Sequence, residues 1–522
     1  MNTGGNTIKA KGIKLCAAFC AAALSAGLLA GNPAIAKEKK DPDTLTVANV
    51  YDAKTLDPFG TNDVASSGAM LHIYNRLVKL NDKDEVVGDL AEKVEQVDDL
   101  TYRFYLRKGV KFHNGEELKA SDVVFSLKRS LSPSSGAVKH IVGAIDPDSI
   151  VALDDYTVEV KTLFPFAAFL PSMTHMGGGA ILNEKAVTEA GDNYGMNPVG
   201  TGPFKLVEWN RGDKMVMERF EDYFGEKPAY KTLIIRAIPE GTNRTIELES
   251  GNVDIAYQIT TNDVSRVEAN KELKLLRLID NSTTYLGFNC EKAPFDDVRV
   301  RQAITMALPT PQIIKAVLRG VGATAVGPIA PNVKYANPDL KPMPYDVEKA
   351  KALLAEAGYP DGFKASIWTN DKKARIDIAT IAQNQLKKIG VDVDIQVLEW
   401  GAYLEGLTQK KHDMFIVGWT CQTPDPDMAV FAPFHSSMKG NNNFTFFGDD
   451  EVDALLEKGR VTPDGPERQQ VYYDIQDALR NKGPWVFMYN DEQIIGTQDY
   501  VEGFTVSPFG FHDLSKVTFD GK

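Results

Sequence analysis

Between residues 364 and 419 the hydrophobic period changes four times. Residues 364–368 alternate as a strand. Residues 374–389 carry helical spacing and are closed by Gly390. Residues 391–400 alternate again, with Val391, Val393, Ile395 and Val397 on one face. A short helix is predicted over 402–410 and a third strand over 414–419. A β-α-β-α-β order asks for a parallel sheet with right-handed crossovers, so this segment predicts an α/β lobe. Helices are predicted before it, opened by Asp296, Thr310-Pro311 and Asp346, and after it near 450–458 and 466–481.

The first half has a different texture. Alternating runs at 44–50, 101–107, 156–163 and 233–238 predict strands, and Asn210-Arg211-Gly212-Asp213 turns a hairpin between 204–209 and 215–220. No internal repeat and no long Gly/Ser or Pro-rich linker separates the halves, so two packed lobes are expected rather than beads on a string. A chain of 522 residues, 43% hydrophobic and 25% charged, is globular. A net charge of −13 argues against a nucleic-acid partner, which would want a basic patch for its phosphates.

The N-terminus reads as an export leader. Lys9, Lys11 and Lys14 precede an apolar run from Leu15 to Ala30, and Ala34-Ile35-Ala36 gives a small-x-small cleavage site. The run is short for a bilayer span. A signal peptide over 1–36 is therefore expected, with a mature exported chain starting at Lys37. Two of the four cysteines leave with the leader; Cys290 and Cys421 remain as one possible pair.

Known catalytic and metal signatures are missing: no phosphate loop, no H-E-x-x-H, no G-x-S-x-G, no C-x-x-C in the mature chain, and seven histidines at no metal-ligand spacing. No catalytic residue, metal or cofactor is expected. The three strands of the alternating unit instead run out in tryptophan, at Trp368, Trp400 and Trp419. Ligands bind beyond the carboxyl ends of such strands, so the three indoles are candidates for a ligand wall, with core packing as the plainer alternative. The acidic, proline-rich loop Thr420 to Asp427 follows Trp419 and reads either as a ligand-holding loop or as a capped turn. In Pro198-Val199-Gly200-Thr201-Gly202-Pro203 two glycines permit close backbone approach, to a ligand or within a tight turn.

Together these stretches resemble a family. Residues 74–78 (YNRLV), 90–93 (LAEK), 102–112 (YRFYLRKGVKF), 120–126 (ASDVVFS), 198–204 (PVGTGPF) and 250–256 (SGNVDIA) carry the likeness in the first half. Residues 294–304 (PFDDVRVRQAI), 345–363 (YDVEKAKALLAEAGYPDGF), 418–420 (GWT) and 425–427 (DPD) carry it in the second. The chain resembles the extracellular solute-binding receptors of ABC importers, of the dipeptide/oligopeptide/nickel type, with the glutathione-binding members nearest in the loop after residue 368. The resemblance implies a monomeric two-lobe periplasmic binding protein: first lobe 37–285 with an inserted subdomain at about 85–200, second α/β lobe 286–490, and a return to the first lobe over 491–522. Two connecting strands act as the hinge, near 284–290 and 486–493. A peptide or peptide-like solute is captured between the lobes and passed to a membrane permease. A nickel chelate, an opine or a sugar derivative is the alternative cargo, and an exported hydrolase is the reading from another class. Tyr51, Thr201, Gly202, Trp368, Trp400, Trp419, Gln422, Asp425 and Asp427 are the expected ligand-binding residues. Gln422 stands where dipeptide-binding members carry an aspartate, and is expected to hydrogen-bond an amide or hydroxyl. Cys290 and Cys421 are expected to be bonded or adjacent at the hinge side of the cleft.

Overall fold

The structure, a computed structural model, describes residues 41–136 and 138–520; the expected leader lies outside them. The alternating unit folds as its period dictates. Phe363–Asn370 pairs in parallel with Val391–Leu398 on one side and with Met414–Thr420 on the other. The helix Lys373–Leu386 makes the first crossover, and Gly390 reverses the chain at φ 81°, the left-handed region that glycine enters without strain. The sheet then continues antiparallel, in the order Ala323–Thr324, Trp485–Asn490, Ser282–Phe288, Met414–Thr420, Phe363–Asn370, Val391–Leu398. Both faces are apolar and both are covered. Leu286, Phe288, Met414 and Ile416 enter one core, and Tyr285, Phe415 and Val417 enter the other. Helix caps follow the sequence closely. Asp346 accepts from Lys349 N at 2.9 Å, whereas the helix after residue 296 is capped by Asp297, one residue later than expected.

A seven-stranded sheet organises the first half: Leu273–Ile279, Glu492–Gln498, Ile255–Ala256, Thr44–Asn49, Thr232–Ala237, Lys214–Arg219, Phe204–Asn210. A separate four-stranded antiparallel sheet over residues 91–161 has its own core around Phe104, Phe112, Val158 and Phe169. The chain passes from the seven-stranded to the six-stranded sheet at Asp280-Asn281 and returns at Asp491. These two crossings lie side by side, since Asp280 N–H donates to Asp491 C=O at 2.9 Å. The first crossing is earlier than residues 284–290, because the apolar run 282–288 already belongs to the six-stranded sheet. Asp280 braces the passage: it accepts from Ser282 N at 2.9 Å and from Gln493 Nε2 at 2.9 Å, while Lys372 Nζ holds Asp491 at 2.9 Å. Burial, and then the Asp491 carboxylate, raise the Asp280 carboxyl above the usual range.

The PVGTGPF loop is absorbed by this architecture. Its backbone runs against residues 72–74, with Gly202 N donating to Ile73 O at 2.8 Å and Phe204 N to His72 O at 3.0 Å. A Cβ on Gly200 would lie 2.0 Å from Ile73 O. We therefore expect Gly200→Ala to destabilise the fold by about 1–3 kcal/mol through overpacking, read as a lower urea midpoint with an unchanged m-value.

Candidate functional site

The site is built where the two sheets face each other across the crossings. The carboxyl ends of Phe363–Asn370 and Met414–Thr420 lie at this edge, together with the start of Ser282–Phe288 and the end of Trp485–Asn490. A cavity of about 540 Å³ opens between the lobes. Lys83, Glu85, Pro171 and Phe509 line it from the first half, and Asn281, Asn332, Asp425 and Arg468 from the second.

Gln422 carries the contact across this gap. It is 8% exposed, and both ends of its amide are used by the first half. Its Nε2 donates to Asn62 O at 3.0 Å, and its Oε1 lies 3.2 Å from His175 Nε2. Gly177 N–H donates to His175 Nδ1 at 2.9 Å, so that nitrogen is unprotonated and the Nε2–H faces Gln422. Burial lowers His175 to about 4, keeping the ring neutral. The expectation that Gln422 offers its amide to a ligand therefore gives way to a contact between the lobes.

The two aspartates of the same loop are also committed. Asp425 receives a bidentate pair from Arg468, at 2.6 and 2.8 Å, with both side chains almost wholly buried. Asp427 lies 3.3 Å from Arg460 Nε; burial raises its carboxyl and Arg460 pulls it back. The cations that this acidic loop holds are the protein's own. Arg460 also stacks on Phe431 at 4.0 Å and, across the gap, on Phe166 at 4.6 Å and Phe164 at 5.2 Å. Its carbonyl accepts from Ala167 N at 2.9 Å.

The three tryptophans pack against one hydrophobic cluster, all half-buried, but not at equivalent strand positions. Trp368 lies two residues inside its strand, level with Phe415, and rests against Gly406 of the helix Trp400–Thr408. It is packing beneath that helix and not part of a rim. Trp400 opens that helix rather than closing the preceding strand, because Glu399 caps it through Gly401 N at 2.8 Å. Trp419 sits near the end of its strand, and its Nε1–H donates to Met428 O at 2.7 Å. In the first half, Thr201 is fully buried and donates to Asn75 Oδ1 at 3.2 Å, and Gly202 O lies 3.0 Å from His113 Nε2, so neither faces the cavity. Tyr51, 61% exposed, stands beyond the end of Thr44–Asn49 and does not line the cavity.

The cysteine pairing is corrected. Ser282–Phe288 runs antiparallel to Met414–Thr420, with Ser282 opposite Thr420 and Phe288 opposite Met414. Cys421 N therefore meets Asn281 O at 2.9 Å at one end of the ladder, while Cys290 follows the other end. The ladder between the two ends, Ser282 to Phe288, alone spans about 20 Å, against the ~7 Å that a disulfide bridges. Both thiols are free, and burial pushes Cys290 to about 11 and Cys421 to about 12. Thiol titration of residues 37–522 should find both groups slow to react when native and both reactive in urea, with no gain after prior reduction.

A further group sequence reasoning undervalued is Arg375, in the first turn of Lys373–Leu386. It is 9% exposed, its NH1 donates to Asn370 Oδ1 at 2.9 Å, and its Nε has no partner. No carboxylate pairs with it among the described residues. Thr284 Oγ1 and Tyr489 OH, likewise buried without a partner, belong to residues paired side by side at the same sheet edge. Gly418 leaves the room: a Cβ there would sit 3.1 Å from Thr284 Oγ1 and 3.3 Å from Arg375 NH2. A buried cation with one neutral partner is costly unless an anion completes it.

Among the described residues no group of three or more His, Cys, Asp or Glu side chains could hold a metal ion, and no helix is long and apolar enough to cross a membrane. Residues 85–441 match the family model of bacterial extracellular solute-binding proteins, family 5. The chain is 32% identical to heme-binding protein A of Haemophilus influenzae, over 89% of each chain, and 30% identical to the dipeptide-binding protein of Escherichia coli, over 98% of each. Its fold is similar to that of the periplasmic binding protein DppA of Helicobacter pylori in complex with the peptide STSA, with a TM-score of 0.84 at 30% identity over 91% of this chain and 98% of that one. It is also similar to the dipeptide-binding protein of a Pseudoalteromonas species in complex with Met-Leu, with a TM-score of 0.82 at 27% identity over 91% of this chain and 100% of that one. Two facing sheets joined by paired crossings, a cavity between them and this match over most of its length give one reading: the chain belongs to the bacterial extracellular solute-binding proteins of family 5.

Proposed function

We propose that the chain is the periplasmic receptor of an ABC importer, which captures a peptide or peptide-like solute between its lobes and presents it to a membrane permease. It acts as a monomer without catalysis, after removal of residues 1–36. The observation that carries this reading is the pair of adjacent crossings beside an interlobe cavity. Such a joint lets two rigid lobes separate and meet, and a site divided between them is complete only on closure. The relatives named for dipeptide binding and the neighbours holding peptides support the cargo class.

Within that reading the anionic end of the solute pairs with Arg375, beside Thr284 and Tyr489, and Trp400 and Trp419 flank its body, at the neighbouring sheet edge rather than in the cavity, whose lining holds none of these five residues. Gln422, held by His175 and Asn62, supplies no charge for an α-amino group. Calorimetry with Met-Leu and Ser-Thr-Ser-Ala tests both statements. Saturable binding without cleavage is expected, and Arg375→Met should weaken it at least ~30-fold, the lower end of the effect of truncating a buried charge partner. Product formation, or an affinity untouched in Arg375→Met, would refute the respective statement.

A further inference from the structure

Two histidines of the first half face the second across the gap, and both face cations. His140 lies in the short helix Lys139–Val142 with neither ring nitrogen hydrogen-bonded, beside Arg460. His175 donates to Gln422, with His140 and Arg76 as its charged or titratable neighbours. The acids in reach are occupied: Asp427 faces Arg460, Asp425 is held by Arg468, and Asp89 and Asp513 lie towards Arg76.

We propose that His175–Gln422–Asn62 and the Arg460 stack on Phe164 and Phe166 form a latch of the protein's own groups, which holds the lobes closed at neutral pH and releases when His140 and His175 take up protons. The latch needs no solute, because every polar atom of the Gln422 amide is satisfied by Gly177-anchored His175 and by Asn62. A proton on His175 must go to Nδ1, where it meets the Gly177 N–H. A proton on His140 places a second cation against Arg460. The proton on His140 opposes closure by repulsion from Arg460 across the gap, and that on His175 by putting a cation into the buried contact between the lobes, while its Nε2–H bond to Gln422 persists. The pH range follows from the sign. Both rings lie at about 4 in the closed arrangement, below the ordinary 6.5, so closure is fully supported above pH 6.5 and weakens as pH falls towards 4.

The inference rests on the reading that the lobes open and close, but not on what they enclose. The test is small-angle scattering of the mature, solute-free chain from pH 7.5 to 5.5, with far-UV circular dichroism confirming that it remains folded. The radius of gyration of the wild type should rise on acidification, and that of His140→Leu/His175→Gln should hold steady. Gln422→Ala, altered on the opposite lobe, should be more open than the wild type already at pH 7.5, which keeps the test available if the double variant folds poorly. A radius unchanged with pH in the wild type, or a rise that survives in the double variant, overturns the latch. Failure of every peptide to bind while the wild type still opens with acid would overturn the peptide reading and leave the latch standing.

Discussion

Arg468→Met should cost about 3–5 kcal/mol of folding stability, because it leaves the Asp425 carboxylate buried without its partner. The pair is buried in the wall of the cavity: Arg468 is 1% exposed and also donates from Nε to Gly459 O at 2.8 Å, tying the acidic loop to two helices. Urea unfolding measures the loss. Adding Asp425→Leu to Arg468→Met should recover most of it, since removing both charges also removes the desolvation penalty. If Asp425 instead served a solute directly, Asp425→Leu alone would abolish binding with little change in stability. The structure points the other way.

Acid should also undermine the folded state by several kcal/mol before any carboxylate of ordinary pKa titrates. Burial holds His412 at about 4 and His512 at about 3, and lowers His72 as well. Two are used as neutral rings, since His512 Nδ1 and His72 Nε2 accept from Ser507 N and Leu514 N, while His412 donates from Nε2 to Phe444 O at 2.9 Å and keeps a buried Nδ1 with no partner for a second proton. Their folded-state values lie below the unfolded 6.5, so their contribution is complete above pH 6.5 and is lost as pH falls. The loss is about 1.4 kcal/mol per pH unit for each ring, or roughly 2–4 kcal/mol over the first unit once partial offsets are allowed for. Asp280 and Asp427, whose carboxyls burial raises, supply that offset, since their protonation favours the folded state. Thermal unfolding from pH 7.5 to 5 should show the decline, and His512→Gln should flatten it. A melting temperature constant over that range would contradict the assignment of these rings as buried and neutral.

The parallel core was legible because its period alternates between two and 3.6 residues and its first helix is stopped by Gly390. Gly390 and Asp346 act as their positions suggest. What escaped the sequence was direction and distance. Trp368, Trp400 and Trp419 look equivalent along the chain, yet register sets Trp368 level with Phe415, four residues and about 13 Å short of Trp419. Cys290 and Cys421 each follow a strand of the same sheet, but the strands run in opposite directions. Gln422 looked free for a ligand because its partners His175 and Asn62 are 247 and 360 residues away in sequence, and no local pattern announces a contact of that range. Asp425 and Arg468 are 43 residues apart, which likewise hid the cation that the acidic loop serves. Arg375 shows the converse. Its neighbours in sequence suggest a solvated helix start, and only the sheet edge formed by Thr284, Gly418 and Tyr489 reveals that it is buried.

The central claim is that a small solute completes the gap between the two lobes. It is tested most directly by a crystal structure of the protein purified from its native source without denaturation. The account predicts a small molecule between the six-stranded and seven-stranded sheets, touching residues of both, with an acidic group bonded to Arg375. A molecule bound wholly within one lobe, or Arg375 paired with a carboxylate of the protein itself, would contradict it.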